Sequence, residues 1–204
     1  AIVLCDDKTL TAEALFGKVK TPETLIAPKT FEGVKITDEF LIKAEETFGF
    51  PMVVKEAFGS FGKQVYLVKN HEELRNIVDK IGFKPFLIQE YIKSSCGRDV
   101  RVYVVGDKVV CRMLRVNKND FRSNVSGGGE AFPFEENAEI DNAALLACRA
   151  LGTDFAGVDV MFGENSPVVC EVNSNPHFRS ALTATGVNLA DYIMNYVINS
   201  LLQK

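Results

Sequence analysis

Ala156-Gly157-Val158-Asp159-Val160-Met161-Phe162 runs into Gly163-Glu164-Asn165-Ser166-Pro167, and then into Val168-Val169-Cys170-Glu171-Val172-Asn173. The outer segments are short and valine-rich, and turn residues fill the middle. The stretch therefore reads as two antiparallel strands around a five-residue turn. Successive side chains on a strand point to opposite faces, so Glu171 and Asn173 share one face while Cys170 and Val172 take the other. If Phe162 pairs with Val168 across the turn, Asp159 falls directly opposite Glu171 on the same face. Two carboxylates so placed, with Cβ atoms about 5 Å apart, repel unless a cation sits between them. Carboxylate and amide oxygens suit Mg²⁺, a hard ion that keeps coordination positions for phosphate oxygens. The alternative is a pair of acids on a solvated sheet face. The apolar residues around both acids favour an enclosed polar cluster.

The rest of the chain supplies partners for this hairpin. Thr37–Phe48 has an apolar stripe (Phe40, Leu41, Ala44, Phe48) and stops at Gly49. Pro51–Glu56, Gln64–Lys69 and Phe86–Ile92 read as strands. Asn70 with Glu73 forms a capping box ahead of Leu74, Ile77, Val78 and Ile81. Val100–Val105 and Lys108–Val116 form a hairpin joined at Gly106-Asp107. Residues 117–138, with Ser126-Gly127-Gly128-Gly129, read as a mobile loop. Ile140–Leu151 is a helix closed by Gly152, and Asn188 caps a last helix. The expected architecture is α+β, in two lobes. Residues 1–35 form a helix and connecting arm, 36–92 a small lobe, and 93–204 a large lobe with the metal site. A cleft is expected between the lobes near residues 90–98.

Composition narrows the function. Apolar residues make up 47% and charged residues 25% of 204, an ordinary globular balance. A net charge of −4 disfavours a generally basic nucleic-acid binder. There is no membrane-length apolar run and no signal peptide. The five cysteines are scattered without C-x-x-C, which reads as reduced thiols in a cytoplasmic protein. With two histidines, His71 and His177, there is little for His-based nucleophilic catalysis. The chain opens without Met, which reads as a processed product or a cut piece.

Three further groups carry chemistry. Lys55 ends an apolar strand beside Gly59-Ser60-Phe61-Gly62-Lys63, where glycine amides can hold phosphate oxygens. P-loop spacing is not met, since Ala57 and Gln64 stand where Gly and Ser/Thr are needed. A plain hairpin with an exposed lysine is the alternative. The stretch Arg98–Arg122 is basic, with Arg101, Arg112 and Arg115 on strands, where they can balance triphosphate charge. An outward basic face, or an RNA-binding one, is the alternative. Gln89-Glu90-Tyr91-Ile92 can present backbone groups to a purine edge.

Taken together, Gln89–Lys93, Asp99-Val100-Arg101, Asp120-Phe121-Arg122-Ser123-Asn124, Ala156–Val160 and Glu171-Val172-Asn173-Ser174-Asn175-Pro176 resemble the ATP-grasp superfamily, and within it the RimK-type ligases. The resemblance covers nearly the whole chain. It implies two α+β lobes gripping ATP, with the usual N-terminal domain absent from this chain. It also implies ATP-driven joining of a small-molecule or peptide carboxylate to an amine through an acyl phosphate. By the same resemblance Lys8 and Lys55 contact phosphates, and Gly59, Ser60 and Gly62 belong to a covering loop, although the loop departs from G-x-x-G-x-G. Gln89, Glu90, Tyr91 and Ile92 line the adenine, Asp99 meets the ribose, and Arg101 and Ser123 join the nucleotide site. Arg112, Arg122 and Asn124 take catalytic roles. Asp159, Glu171 and Asn173 hold two Mg²⁺ ions, or Mn²⁺, with Glu171 bridging. The segment Asn175-Pro176-His177-Phe178-Arg179 departs from the Gly and Leu usual after this proline. His177 and Arg179 there either serve the acceptor substrate or simply cap the next segment. A homo-oligomer is compatible with all of this. The rival from another class is an inactive ATP-binding module.

Overall fold

A computed structural model describes residues 1–202. The described residues form helices α1 (Ile2–Asp6), α2 (Lys8–Leu15), α3 (Asp38–Phe48), α4 (His71–Ile81), α5 (Ala138–Leu151), α6 (Arg179–Thr185) and α7 (Leu189–Leu202). The strands are β1 (Thr24–Ile26), β2 (Met52–Glu56), β3 (Val65–Val68), β4 (Phe86–Glu90), β5 (Arg98–Val105), β6 (Lys108–Val116), β7 (Glu130–Pro133), β8 (Phe155–Phe162) and β9 (Pro167–Asn173). They build two antiparallel sheets, β1-β4-β2-β3 and β7-β6-β5-β8-β9. Residues 203–204, the end of the expected large lobe, lie outside the described residues. No described helix is long and apolar enough to cross a membrane.

Alternation decides which sheet face is covered. In the first sheet Met52, Val54, Val68 and Ile88 pack against Leu41 and Ala44 of α3 and Leu74, Val78 and Ile81 of α4. The helix α4 starts as its sequence requires: the Asn70 side chain accepts from the Glu73 amide, and Glu72 and Glu73 sit in the first turn. In the second sheet Val100, Val102, Val158, Val160, Val169 and Val172 meet Ala144, Ala147 and Leu151 of α5. Each such buried valine, leucine, isoleucine or methionine side chain contributes about 1.5–3 kcal/mol. Cys5 and Leu15 join this same core, so α1 and α2 pack on the second sheet. β1, from the segment expected to be a plain arm, pairs with β4 of the first sheet. The opposite face of β5 and β6 carries Tyr103, Cys111 and Met113 beneath Ala181 of α6 and Leu189 of α7.

Three elements depart from expectation. β1 is only three residues long, too short to show a period. β7 lies within the expected loop as an edge strand on β6 and ends in Pro133, a residue that weakens a strand signal. α6 has Phe178 at its N-cap with no side-chain cap bond, so no start signal marks it.

The decisive hairpin is corrected in its register. Phe162 pairs with Pro167 and Met161 with Val168, so the expected Phe162–Val168 pair is not made. Carried inward unchanged, that register would set Asp159 against Cys170. A bulge between Asp159 and Val160 shifts it by one residue, and Asp159 does face Glu171. A bulge leaves one residue unpaired and re-aims the side chains beside it. Cys170 is that residue. It turns into the cleft, contrary to the strict alternation expected, and its Sγ lies 3.5 Å from Lys55 Nζ.

Candidate active site

The cleft lies between the two sheets. On its floor Arg101, Asp159 and Glu171 are direct cross-strand neighbours on β5, β8 and β9. Asp99 of β5 stands opposite Arg115 of β6. Arg101 donates from Nε to Asp159 Oδ1 at 2.6 Å and from Nη2 to Oδ2 at 2.7 Å. Arg115 Nη2 adds a third contact, to Asp159 Oδ2 at 2.9 Å. Arg115 also forks onto Asp99, with Nε 2.7 Å from Oδ1. Burial alone would raise the Asp159 carboxyl. The charges of Arg101 and Arg115 outweigh it and hold the group down at about 2. Arg115 is itself pushed upward: burial would lower it, but Asp159 and Asp99 more than compensate.

Two lysines and a loop form the opposite wall. Lys8, at the start of α2, donates to Gly59 O at 2.8 Å and lies 3.9 Å from Glu171 Oε1. Lys55 reaches Cys170 from β2. Arg122 donates from Nη1 to Gly62 O at 2.6 Å, tying the loop of one lobe to the other, and it is held in turn by Asp120. Phe61 sits in left-handed backbone at φ 59° with its ring on His177, centroids 5.7 Å apart. Gly59 sits at φ 138°, a conformation L side chains rarely adopt, with the Gln64 side chain packed against its open face. Arg179 is exposed at the first turn of α6 and forms no ion pair among the described residues.

Gln89, Glu90, Tyr91 and Ile92 line the far end. The ladder stops at the Met52–Glu90 pair, so Tyr91 and Ile92 carry their backbone groups outside it. Gln89 Nε2 donates to Thr24 Oγ1, while Gln89 Oε1 is buried without a partner. Gln64 Oε1 is orphaned in the same way, and both residues line this cleft. A buried acceptor left unpaired is costly, so two in one cleft suit a ligand that brings donors, as an adenine amine and ribose hydroxyls do. The Glu90 side chain accepts from the Glu23 amide, and Asp99 already binds Arg115.

Most residues singled out from the sequence therefore converge. Lys8, Lys55, Gly59, Ser60, Gly62, Gln89, Glu90, Tyr91, Ile92, Asp99, Arg122, Ser123, Asn124, Asp159 and Glu171 all line the cleft. Arg101 reaches it through Asp159. Asn173 stands one same-face step beyond Glu171, opposite Gly157, and donates from Nδ2 to Gly157 O at 3.3 Å. Its remaining amide atom, Oδ1, is of the type a hard cation takes. Among the described residues no three His, Cys, Asp or Glu gather as a metal cluster; the oxygen donors that meet here are the Asp159 and Glu171 carboxylates, with the Asn173 amide beside them.

Arg112 is the correction. Its neighbours Cys111 and Met113 face α6, so Arg112 points the other way, to α5, and binds Asp141 with Nε at 2.6 Å from Oδ1. It is a link between β6 and α5, outside the cleft. Arg115, three residues on and of opposite parity, is the inward arginine. Alternation sets Arg115 on the face of Met113, and the packing of α5 and α6 decides that this is the face toward the cleft. Gln64 was also missed as a cleft residue, because a lone glutamine in a turn carries no pattern.

The fold and the cleft define an ATP-grasp protein. A family model described as the RimK-like ATP-grasp domain matches residues 5–197, and the chain belongs to that family. Among curated relatives, a probable alpha-L-glutamate ligase of Methanococcoides burtonii is 39% identical over 155 residues, covering 74% of this chain and 52% of that protein. Beta-citrylglutamate synthase B of Danio rerio is 35% identical over 205 residues, covering 98% of this chain and 49% of the relative. The chain thus spans about half the length of these relatives. A RimK domain ATP-grasp protein from Sphaerobacter thermophilus superposes with a TM-score of 0.70 at 25% identity, covering 95% of this chain and 67% of that one. D-alanine–D-alanine ligase from Bacillus anthracis complexed with ATP gives 0.73 at 23% identity, covering 98% and 67%, a likeness of fold.

Proposed function

We propose that this chain carries the nucleotide and metal site of an ATP- and Mg²⁺-dependent carboxylate–amine ligase. The observation that carries it is the meeting, in one cleft, of two lysines, a glycine loop pinned by Arg122, facing carboxylates at Asp159 and Glu171, and two orphaned buried acceptors. Relatives named as glutamate ligase and citrylglutamate synthase support the reaction class.

In that reaction a substrate carboxylate attacks the γ-phosphorus, giving an acyl phosphate and ADP. An amine then attacks the acyl carbon, phosphate leaves, and an amide forms. Lys8 and Lys55 neutralise the phosphates, and the Gly59–Gly62 loop covers them to keep water from the acyl phosphate. Gln89 Oε1 and the backbone at Tyr91 and Ile92 receive the adenine edge, with Asp99 on the ribose side. Arg122 and Asn124 position the transferring group. Asp159, Glu171 and Asn173 would hold Mg²⁺, two ions in the full reaction, which supplies charge neutralisation at the transferring phosphoryl. Past the metal strand, Arg179 would clamp a substrate carboxylate, and His177 would receive the proton of the attacking amine.

Thermal unfolding with Mg²⁺ and a non-hydrolysable ATP analogue tests this, on the parent chain, Asp159→Asn and Glu171→Gln. Saturation at about 100 times Kd adds roughly 2.7 kcal/mol, or about 5–11 °C for a chain of this size. A Mg²⁺-dependent shift lost in both variants supports the assignment; a shift retained in both overturns it. A second reading, an inactive binding module, is favoured by the engagement of both Asp159 oxygens with guanidinium groups. Phosphate release that needs both an acid and an amine removes that reading.

A further inference from the structure

Asp159 is expected to hold a cation, yet its carboxylate is already engaged. An ionised carboxylate offers about four acceptor sites. Arg101 takes one on each oxygen, and Arg115 takes a further one on Oδ2. The two arginines are not equivalent. Arg115 has a second anchor in Asp99, and its side chain is 4% exposed. Arg101 has Asp159 as its only charged partner among the described residues, and its side chain is 14% exposed.

Resting on the ligase reading above, we infer that Arg101 is the exchangeable counter-ion of Asp159. Arg115 is the fixed post that keeps Asp159 ionised and aimed at Glu171, and Arg101 is the part that yields when a divalent cation takes the carboxylate. Strand register supports this division. Arg101, Asp159 and Glu171 occupy one row, so Arg101 flanks the carboxylate pair directly, while Arg115 reaches Asp159 diagonally from beside Asp99. A cation bound between Asp159 and Glu171 and a guanidinium on the same carboxylate repel at short range, and the charge with no second anchor is the one that moves. Glu171 repeats the pattern, with Lys8 at 3.9 Å also held by Gly59 O. The freed Arg101 is then available to phosphate oxygens. Binding of the metal and arrival of the guanidinium at the nucleotide become one event.

The test is Mn²⁺ binding by electron paramagnetic resonance, without nucleotide, on the parent chain, Arg101→Gln, Arg101→Lys and Asp159→Asn. Far-UV circular dichroism and a urea midpoint check that each variant is folded. Removing the competing charge should tighten Mn²⁺ binding by about tenfold or more in Arg101→Gln, equivalent to about 1.4 kcal/mol. Arg101→Lys keeps the charge without the fork and should gain less. The gain should vanish when Asp159→Asn is added. Unchanged or weaker Mn²⁺ binding in Arg101→Gln, while Asp159→Asn still weakens it in the parent, overturns the exchange role and leaves the metal site standing. Mn²⁺ binding indifferent to Asp159→Asn in every background overturns the metal assignment itself, and the exchange role with it. If Arg101→Gln does not fold, Arg101→Lys against the parent decides in the same directions.

Discussion

Arg115→Met removes a guanidinium that bridges Asp99 and Asp159 and leaves a side chain of similar length, so the cost is electrostatic rather than a cavity. Asp159 keeps Arg101, but Asp99, 7% exposed, has no other cation among the described residues. Stripping one partner from a buried pair costs about 3–5 kcal/mol. At roughly 2–4 °C per kcal/mol for a chain of this length, the midpoint falls by about 6–20 °C. Asp99→Asn in the same chain removes the stranded charge and should recover half or more of the loss. The acid dependence has a definite sign. The folded Asp159 carboxyl sits at about 2, below the ordinary 3.8, so its contribution is complete above about pH 4 and is lost as the pH falls toward 2. Arg115→Met removes one of the two charges responsible, so the gap between parent and variant is widest near neutrality and narrows between about pH 4 and 2. The chain has no Trp, so urea unfolding is best followed by far-UV circular dichroism. A neutral-pH loss under about 1 kcal/mol, or a gap that does not change with pH, refutes the bridge as the source of the stability.

Arg112→Gln should lower stability by about 1–3 kcal/mol through the lost Asp141 fork, and leave affinity for an ATP analogue within about twofold; a tenfold loss of affinity would return Arg112 to the cleft. Gly97→Ala should cost about 2–4 kcal/mol in urea unfolding. Its Cβ would meet Asn117 O at 2.2 Å and Asp120 O at 2.8 Å with φ at +67°, and a loss under half that range would show that the hairpin end yields. Under limiting maleimide at neutral pH, mass spectrometry should find Cys96 labelled first, because it is exposed. Cys148, pushed up to about 11 mainly by burial, should lag until the chain opens, and early labelling of it would contradict its place in the core; Cys170, half-buried in the cleft and raised by burial against the opposing charge of Lys55, should fall between the two.

Local pattern was enough for the two-lobe α+β layout, because alternating valines, the Asn70 cap and the glycine stops are interactions between near neighbours. It marked Lys55 and the glycine loop as candidates, while Lys8 came from the family resemblance and the facing of Asp159 and Glu171 was reached through a register that the bulge replaces. It was not enough for Arg112 and Arg115, since which parity of β6 faces the cleft depends on where α5 and α6 pack. Nor did it reveal the bulge at Cys170, a one-residue shift that only the full β8–β9 ladder exposes. The partnering of Asp159 with Arg101 and Arg115 belongs to the tertiary structure alone. It joins residues 58 and 44 positions apart, and such pairs form only once three strands from distant parts of the chain lie side by side.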